Sequence, residues 1–191
     1  MFYHTEDGHG LRHNPFKAIV APRPIAWVST RASMGDNLAP YSFFNAVTDS
    51  PPQVMFSGGV KDSITNAQET GVFAINIVEA AMFEVMSATS ATLPRGTDEF
   101  VHCNVPKAEC NGINCPRVAN APATLECHVV QLVPLKGGDC MVIGEVTGVH
   151  LRDDCVVNGH LDLTRFQPMA RLGYMDYARI TELITLPRPG Q

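Results

Sequence analysis

Lys61, Asp62 and Ser63 stand in a row just where a short helix should begin. A cation and a hydroxyl beside the free amides of a helix N-terminus make a phosphate site. Upstream, hydroxyls and amides crowd the ends of strand-like segments at Ser29, Thr30, Ser42, Asn45 and Thr48. Apolar walls carrying a few fixed polar groups, next to a phosphate anchor, suit a phosphorylated ring cofactor. Other chemistries lack their residues. Ser57 has no G-x-S-x-G elbow, Lys61 no Walker loop, and H-E-x-x-H does not occur. Gly8-His9-Gly10 is not followed by the rest of a dinucleotide fingerprint.

The elements that must position these residues read mostly as strands. Ile25–Thr30 and Asn37–Phe44 flank a turn over Ala32–Asp36, and Gln53–Ser57 follows the turn Asp49-Ser50-Pro51-Pro52. Asp62–Thr70 reads as a helix, capped by Asp62 or Ser63 and stopped by Gly71. Val72–Val78 is a buried strand, Ala80–Ala88 a short helix and Thr89–Phe100 a loop. Two long strands follow, joined by a hairpin at Lys136–Asp139. In the first, the apolar phase slips from Leu125, Cys127 and Val129 to Val130 and Leu132, which predicts a β-bulge. In the second, Met141, Ile143, Glu145, Thr147, Val149 and Leu151 share one face. Many short strands with Gly and Pro turns and two small helices predict a mainly β protein, a β-barrel with short helices.

The chain of 191 residues suits a single domain spanning 1–191, with 1–16 as an N-terminal arm. A net charge of −5 and no basic run exclude a phosphate-backbone binder, so no nucleic acid is expected. No apolar run approaches membrane-spanning length, the first residues lack a signal-like apolar core, and a cytoplasmic location is expected. Six cysteines fall in a chain with a full hydrophobic core, where cysteine serves as a small buried hydrophobe. His102–Cys115 gathers soft ligands but lacks a C-x-x-C pair; free thiols and no metal are expected.

In order and spacing these segments resemble the flavin reductase-like family, whose members bind FMN on a split β-barrel. The matching stretches are RPIAWVST (Arg23–Thr30), NLAPYSFFNAV (Asn37–Val47), Pro51-Pro52 and KDS (Lys61–Ser63). The likeness continues through ETGVFAINIV, TSATLPRGTDEF, APATLECHVVQ, VIGEVTGVH and MARLGYMDYARI. The resemblance implies FMN as cofactor, NADH or NADPH as co-substrate, and no catalytic side chain, because the flavin itself transfers hydride and electrons. It implies that Tyr41, Ser42, Phe43, Phe44, Asn45, Ala46 and Val47 cradle the ring. Ser29, Thr30, Lys61, Asp62 and Ser63 would approach the ribityl or phosphate end, and Arg171 and Tyr174 the ring or the nicotinamide. Arg95, Glu99 and Phe100 would meet a substrate. Members commonly carry RLGG where this chain has Arg171-Leu172-Gly173-Tyr174, so Tyr174 would cover the flavin face. The implied activity is NAD(P)H-dependent flavin reduction by a homodimer, feeding a monooxygenase or another electron acceptor. The alternative is a non-enzymatic FMN-binding electron carrier of the flavoredoxin kind.

Overall fold

The structure is a computed structural model that describes residues 1–190. After an exposed arm and helix α1 (Phe16–Ile19) come β1 (Arg23–Pro24), β2 (Ala26–Ala32), β3 (Gly35–Tyr41), β4 (Phe44–Asp49) and β5 (Pro52–Gly59). Helix α2 (Asp62–Thr70) leads to β6 (Val72–Ile77), and a short turn of 3-10 helix runs into α3 (Phe83–Ala88). Next are α4 (Glu99–His102), a small hairpin of β7 (Lys107–Glu109) and β8 (Pro116–Val118), and the long pair β9 (Ala123–Pro134) and β10 (Asp139–Leu151). The chain ends in β11 (Val156–Val157), β12 (His160–Leu161), α5 (Leu163–Phe166), β13 (Met169–Arg171) and β14 (Tyr177–Arg179). No helix among the described residues is long and apolar enough to cross a membrane.

Seven strands form one antiparallel sheet in the order β3-β2-β6-β9-β10-β5-β4. Its two edge strands, β3 and β4, are consecutive in the chain and joined only by Ser42 and Phe43. A link that short forces the edges together, so the sheet curls into a barrel with one unpaired seam. This is the split barrel that the resemblance implies. Ser57 N–H donates to the Phe43 carbonyl at 2.9 Å and holds the joint against β5. The expected single strand Asn37–Phe44 is therefore two elements, broken where the chain steps from one sheet edge to the other.

Strand β2 is buried on both faces, and its alternation feeds two cores. Ala26 and Val28 point into the barrel, with Phe56, Phe73, Ile75, Cys127, Val142 and the α2 residues Ile64 and Ala67. Ile25 and Trp27 point outward, under α3, α4 and the segment after them, against Met86, Phe100 and Val118. Helix α2 is stopped by Gly71 at φ 72°, as its sequence predicts. No side chain caps its start; Lys61 occupies the N-cap position, and neither Asp62 nor Ser63 makes the expected cap.

The phase slip in β9 is a register shift that leaves Val130 unpaired between Val129 and Gln131, and a second shift skips Thr147 on β10. On β10 the barrel core takes the face opposite the expected row, through Val142 and Gly144, while Val149 and Leu151 are exposed. The reason is steric. A Cβ on Gly144 would fall 2.4 Å from Cζ of Phe73, so only glycine lets that ring lie flat against the strand. Gly144→Ala is expected to cost about 1–3 kcal/mol as overpacking. Urea unfolding should show a lower midpoint with an unchanged slope.

Candidate functional site

Two connected chambers lie along the barrel seam. The first, of about 500 Å³, runs from β3 across the start of α2 to the loop Thr89–Arg95. The second, of about 280 Å³, lies between α1, β1, α3 and the segment Arg171–Tyr177. Pro40, Tyr41 and Ser90 line both, which makes them a shared waist. The Tyr41 ring packs edge-on against Phe56 with centroids 4.9 Å apart. Burial raises its phenol pKa, so it stays protonated.

The first chamber is built on Asn37 of β3. Its Nδ2 donates to Glu99 Oε2 at 2.9 Å, and its Oδ1 accepts from Ser63 Oγ at 2.6 Å. Leu38 N–H also donates to Glu99 Oε2, at 2.9 Å. Lys107 ties the same region from outside, bridging Asp36 at 2.7 Å and Asp98 at 2.9 Å. Asp98 caps α4 by accepting from the amides of Phe100 and Val101. The loop that forms the far wall is fixed at both ends. Trp27 Nε1 donates to Thr89 Oγ1 at 2.9 Å, and Asp62 accepts from Gly96 N–H at 3.0 Å.

Charge at this end is mixed. Arg95 lies 3.5 Å from Asp62, which offsets that carboxylate, while Lys61 makes no ion pair among the described residues. Because α2 has no capping side chain, the amides of its first turn have no side-chain acceptor. Those amides with Lys61, Arg95 and the Thr92 hydroxyl make an anion cradle, the Ser90 hydroxyl being committed to the Ser87 carbonyl at 2.6 Å. The volume lies within the roughly 300–1,000 Å³ usual for small-molecule and cofactor sites. The residues present therefore fit a phosphorylated ring cofactor.

The structure brings Tyr41, Ser42, Lys61, Asp62, Ser63, Arg171 and Tyr174 to the chambers. Ser63 lines the cleft, but its hydroxyl proton is committed to Asn37. Ser29 and Thr30, expected at the ribityl or phosphate end, are buried. Ser29 Oγ donates to the Pro116 carbonyl at 2.7 Å, and Thr30 Oγ1 accepts from Asn66 at 3.1 Å. Phe43, Phe44, Asn45, Ala46 and Val47 line neither chamber, because the seam turns β4 away; Asn45, Ala46 and Val47 face solvent. Arg95 and Glu99 line the first chamber, whereas Phe100 is buried in the outer core. Asn37, Lys17 and Arg23 are additions of the structure. Only the hydroxyl run Thr89-Ser90-Ala91-Thr92 carried a local hint of the far wall.

All six cysteines are free thiols. Among the described residues, one group of three metal-type donors includes a member of the run His102–Cys115: the Cys110 thiol, the Glu126 carboxylate and the His150 ring lie within 4.8 Å of one another. Glu126 already accepts from the amides of Asn111 and Gly112, each at 2.7 Å, and from His150 at 2.5 Å. Burial opposes its ionisation, but those hydrogen bonds outweigh it and hold the pKa down.

Residues 20–168 match the flavin reductase like domain family. An uncharacterized protein of Deinococcus radiodurans is 39% identical over 176 residues, covering 85% of this chain and 77% of that one. Among solved structures, nitrilotriacetate monooxygenase component B from Bacillus cereus superposes with a TM-score of 0.88 at 28% identity, covering 97% and 98% of the two chains. The Pseudomonas fluorescens 2-nitrobenzoate 2-nitroreductase NbaA gives a TM-score of 0.85 at 29% identity, covering 92% and 89%.

Glu99 generates a pH prediction. Burial, ahead of all other causes, raises its pKa. The fold thus holds this proton more tightly than the unfolded chain does, a stabilisation present at acid pH and lost as pH rises through the folded pKa. Glu99→Gln removes that dependence. Relative to the variant, the parent protein should gain stability as pH falls from neutrality to about 4.5, the ordinary glutamate range. Urea midpoints of both proteins across that window check it.

Proposed function

The chain belongs to the flavin reductase like domain family, and from that premise we propose that it is an FMN-binding, NAD(P)H-dependent flavin reductase. The observation that carries this reading is the uncapped, cation-flanked start of α2 opening along one cleft to a waist at Tyr41. When bound there, FMN supplies hydride and electron transfer. The protein's residues do the holding. Lys61 and Arg95 meet the phosphate charge, the first-turn amides of α2 orient it, and Asn37 fixes the wall through Ser63 and Glu99. Buried Tyr41 limits water at the waist. Ser42, Arg171 and Tyr174 bound the second chamber, where a co-substrate would stand against the ring.

Lys61→Ala combined with Arg95→Ala should weaken FMN binding by about tenfold or more, the scale of a charge-assisted hydrogen bond partly exposed to water. Riboflavin, which lacks the phosphate, should bind both proteins almost equally. Fluorescence quenching of each flavin measures this, and equal losses for both would assign the two cations to folding.

Tyr174 favours weighing the carrier reading as well. It sits at φ 55°, in the left-handed region that favours glycine and is uncommon for a bulky side chain, and it lines the second chamber half-exposed. Anaerobic NADH or NADPH is expected to bleach the bound flavin, and Tyr174→Gly, which opens the face and suits that backbone conformation, should bleach faster. If dithionite reduces the flavin in both proteins while neither nucleotide does, the protein is an electron carrier.

A further inference from the structure

The second chamber carries charge that no acidic side chain among the described residues balances. Lys17, Arg23 and Arg171 all line it, and its lining contains no aspartate or glutamate. None of the three makes an ion pair among the described residues. In a chain with 19 acidic and 14 basic residues, three bare cations in about 280 Å³ do not follow from composition.

Arg23 is the anchor of this set. It is only 6% exposed, and its guanidinium donates to backbone carbonyls alone: Lys17 and Val20 through Nη1, and Leu172 through Nη2 at 2.7 Å. Its buried Nε–H has no acceptor among the described residues. Burial, and then the charge of Arg171, lower its pKa, as expected of a cation without a counter-charge. Arg171 lies 4.1 Å from the Tyr177 ring centroid and donates to the Tyr174 carbonyl at 2.7 Å. Buried charges are ordinarily paired, so buried Arg23, with half-buried Arg171 and exposed Lys17 beside it at an open chamber, calls for an anion from outside. The other walls include the rings of Tyr41, Tyr174 and Tyr177, and the volume suits one ring better than a dinucleotide.

We propose that this chamber seats a monocyclic aromatic carboxylate, its carboxylate among Lys17, Arg23 and Arg171 and its ring against the tyrosines. The proposal rests on the flavin reading only for what the acid is held against; the seat itself requires no flavin. Calorimetric titrations of the flavin-free and FMN-loaded protein with benzoate, with its neutral isostere benzamide, and with inorganic phosphate test it. Benzoate should bind, with benzamide at least about tenfold weaker for loss of the charge-assisted contacts. Lys17→Gln and Arg171→Gln should each weaken benzoate by a similar factor and leave benzamide unmoved. These variants are chosen because Arg23 also fastens backbone, and its loss would confound folding with binding. Equal affinity for benzoate and benzamide overturns the proposal, as does phosphate binding to the same cations while benzoate fails. Benzoate uptake by a protein that binds no FMN would keep the seat and remove the reductase reading. FMN binding with no benzoate uptake would do the reverse.

Discussion

Asn37 is the side chain on which the cleft depends. It is 5% exposed, and its amide faces two ways, donating to Glu99 and accepting from Ser63. Through it β3, α2 and α4 meet at one point, although 62 residues separate Asn37 from Glu99. A buried amide is costly unless satisfied, and a satisfied one is rigid because no equivalent arrangement competes. An apolar side chain here would leave the Ser63 hydroxyl without its acceptor and Glu99 with one donor fewer. The floor and the far wall of the first chamber would then lose their common reference.

The two chambers differ in how their charges are settled. In the first, Asp62 is answered by Arg95 and by the Gly96 amide, and Glu99 by Asn37 and Leu38. Every acid there has a protein partner, which leaves the cationic Lys61 and the α2 amides facing the cleft. In the second, carbonyl dipoles and aromatic faces stand in for acids around the cations. Tyr41 separates the two environments, and burial keeps its phenol neutral, so the waist adds no charge to either side.

Much of this architecture was legible in the residues. Alternation gave the strands, Gly71 the end of α2, and the phase slip at Val129 and Val130 the bulge. The break at Ser42 and Phe43 was not legible, because Tyr41-Ser42-Phe43-Phe44 continues an apolar run and only barrel closure interrupts it. Lys61 and Ser63 read as a pair at a helix start, yet the partner that claims Ser63 lies 26 residues upstream. Ser29 and Thr30 have partners that are also remote in the chain. Their hydroxyls suggest a ligand, whereas Pro116, Asn76 and Asn66 satisfy them inside the core. The second chamber escaped notice because it joins residues 149 positions apart, Arg23 and Leu172, which no local pattern connects.

One wall of that chamber is fastened in an unusual way. Helix α1 buries none of its own residues. It is held by the bonds from Arg23 to its carbonyls and by Ala18 lying on Gly173, where an added Cβ would fall 2.5 Å from the Ala18 Cβ. Attachment therefore runs largely through backbone and two small residues, while Lys17, the one residue of α1 that lines the chamber, lies over the Phe43 ring 5.7 Å from its centroid. Ligand preference and barrel integrity are thereby uncoupled. Descendants of this chain can therefore change what the chamber accepts through Lys17 without disturbing the barrel core.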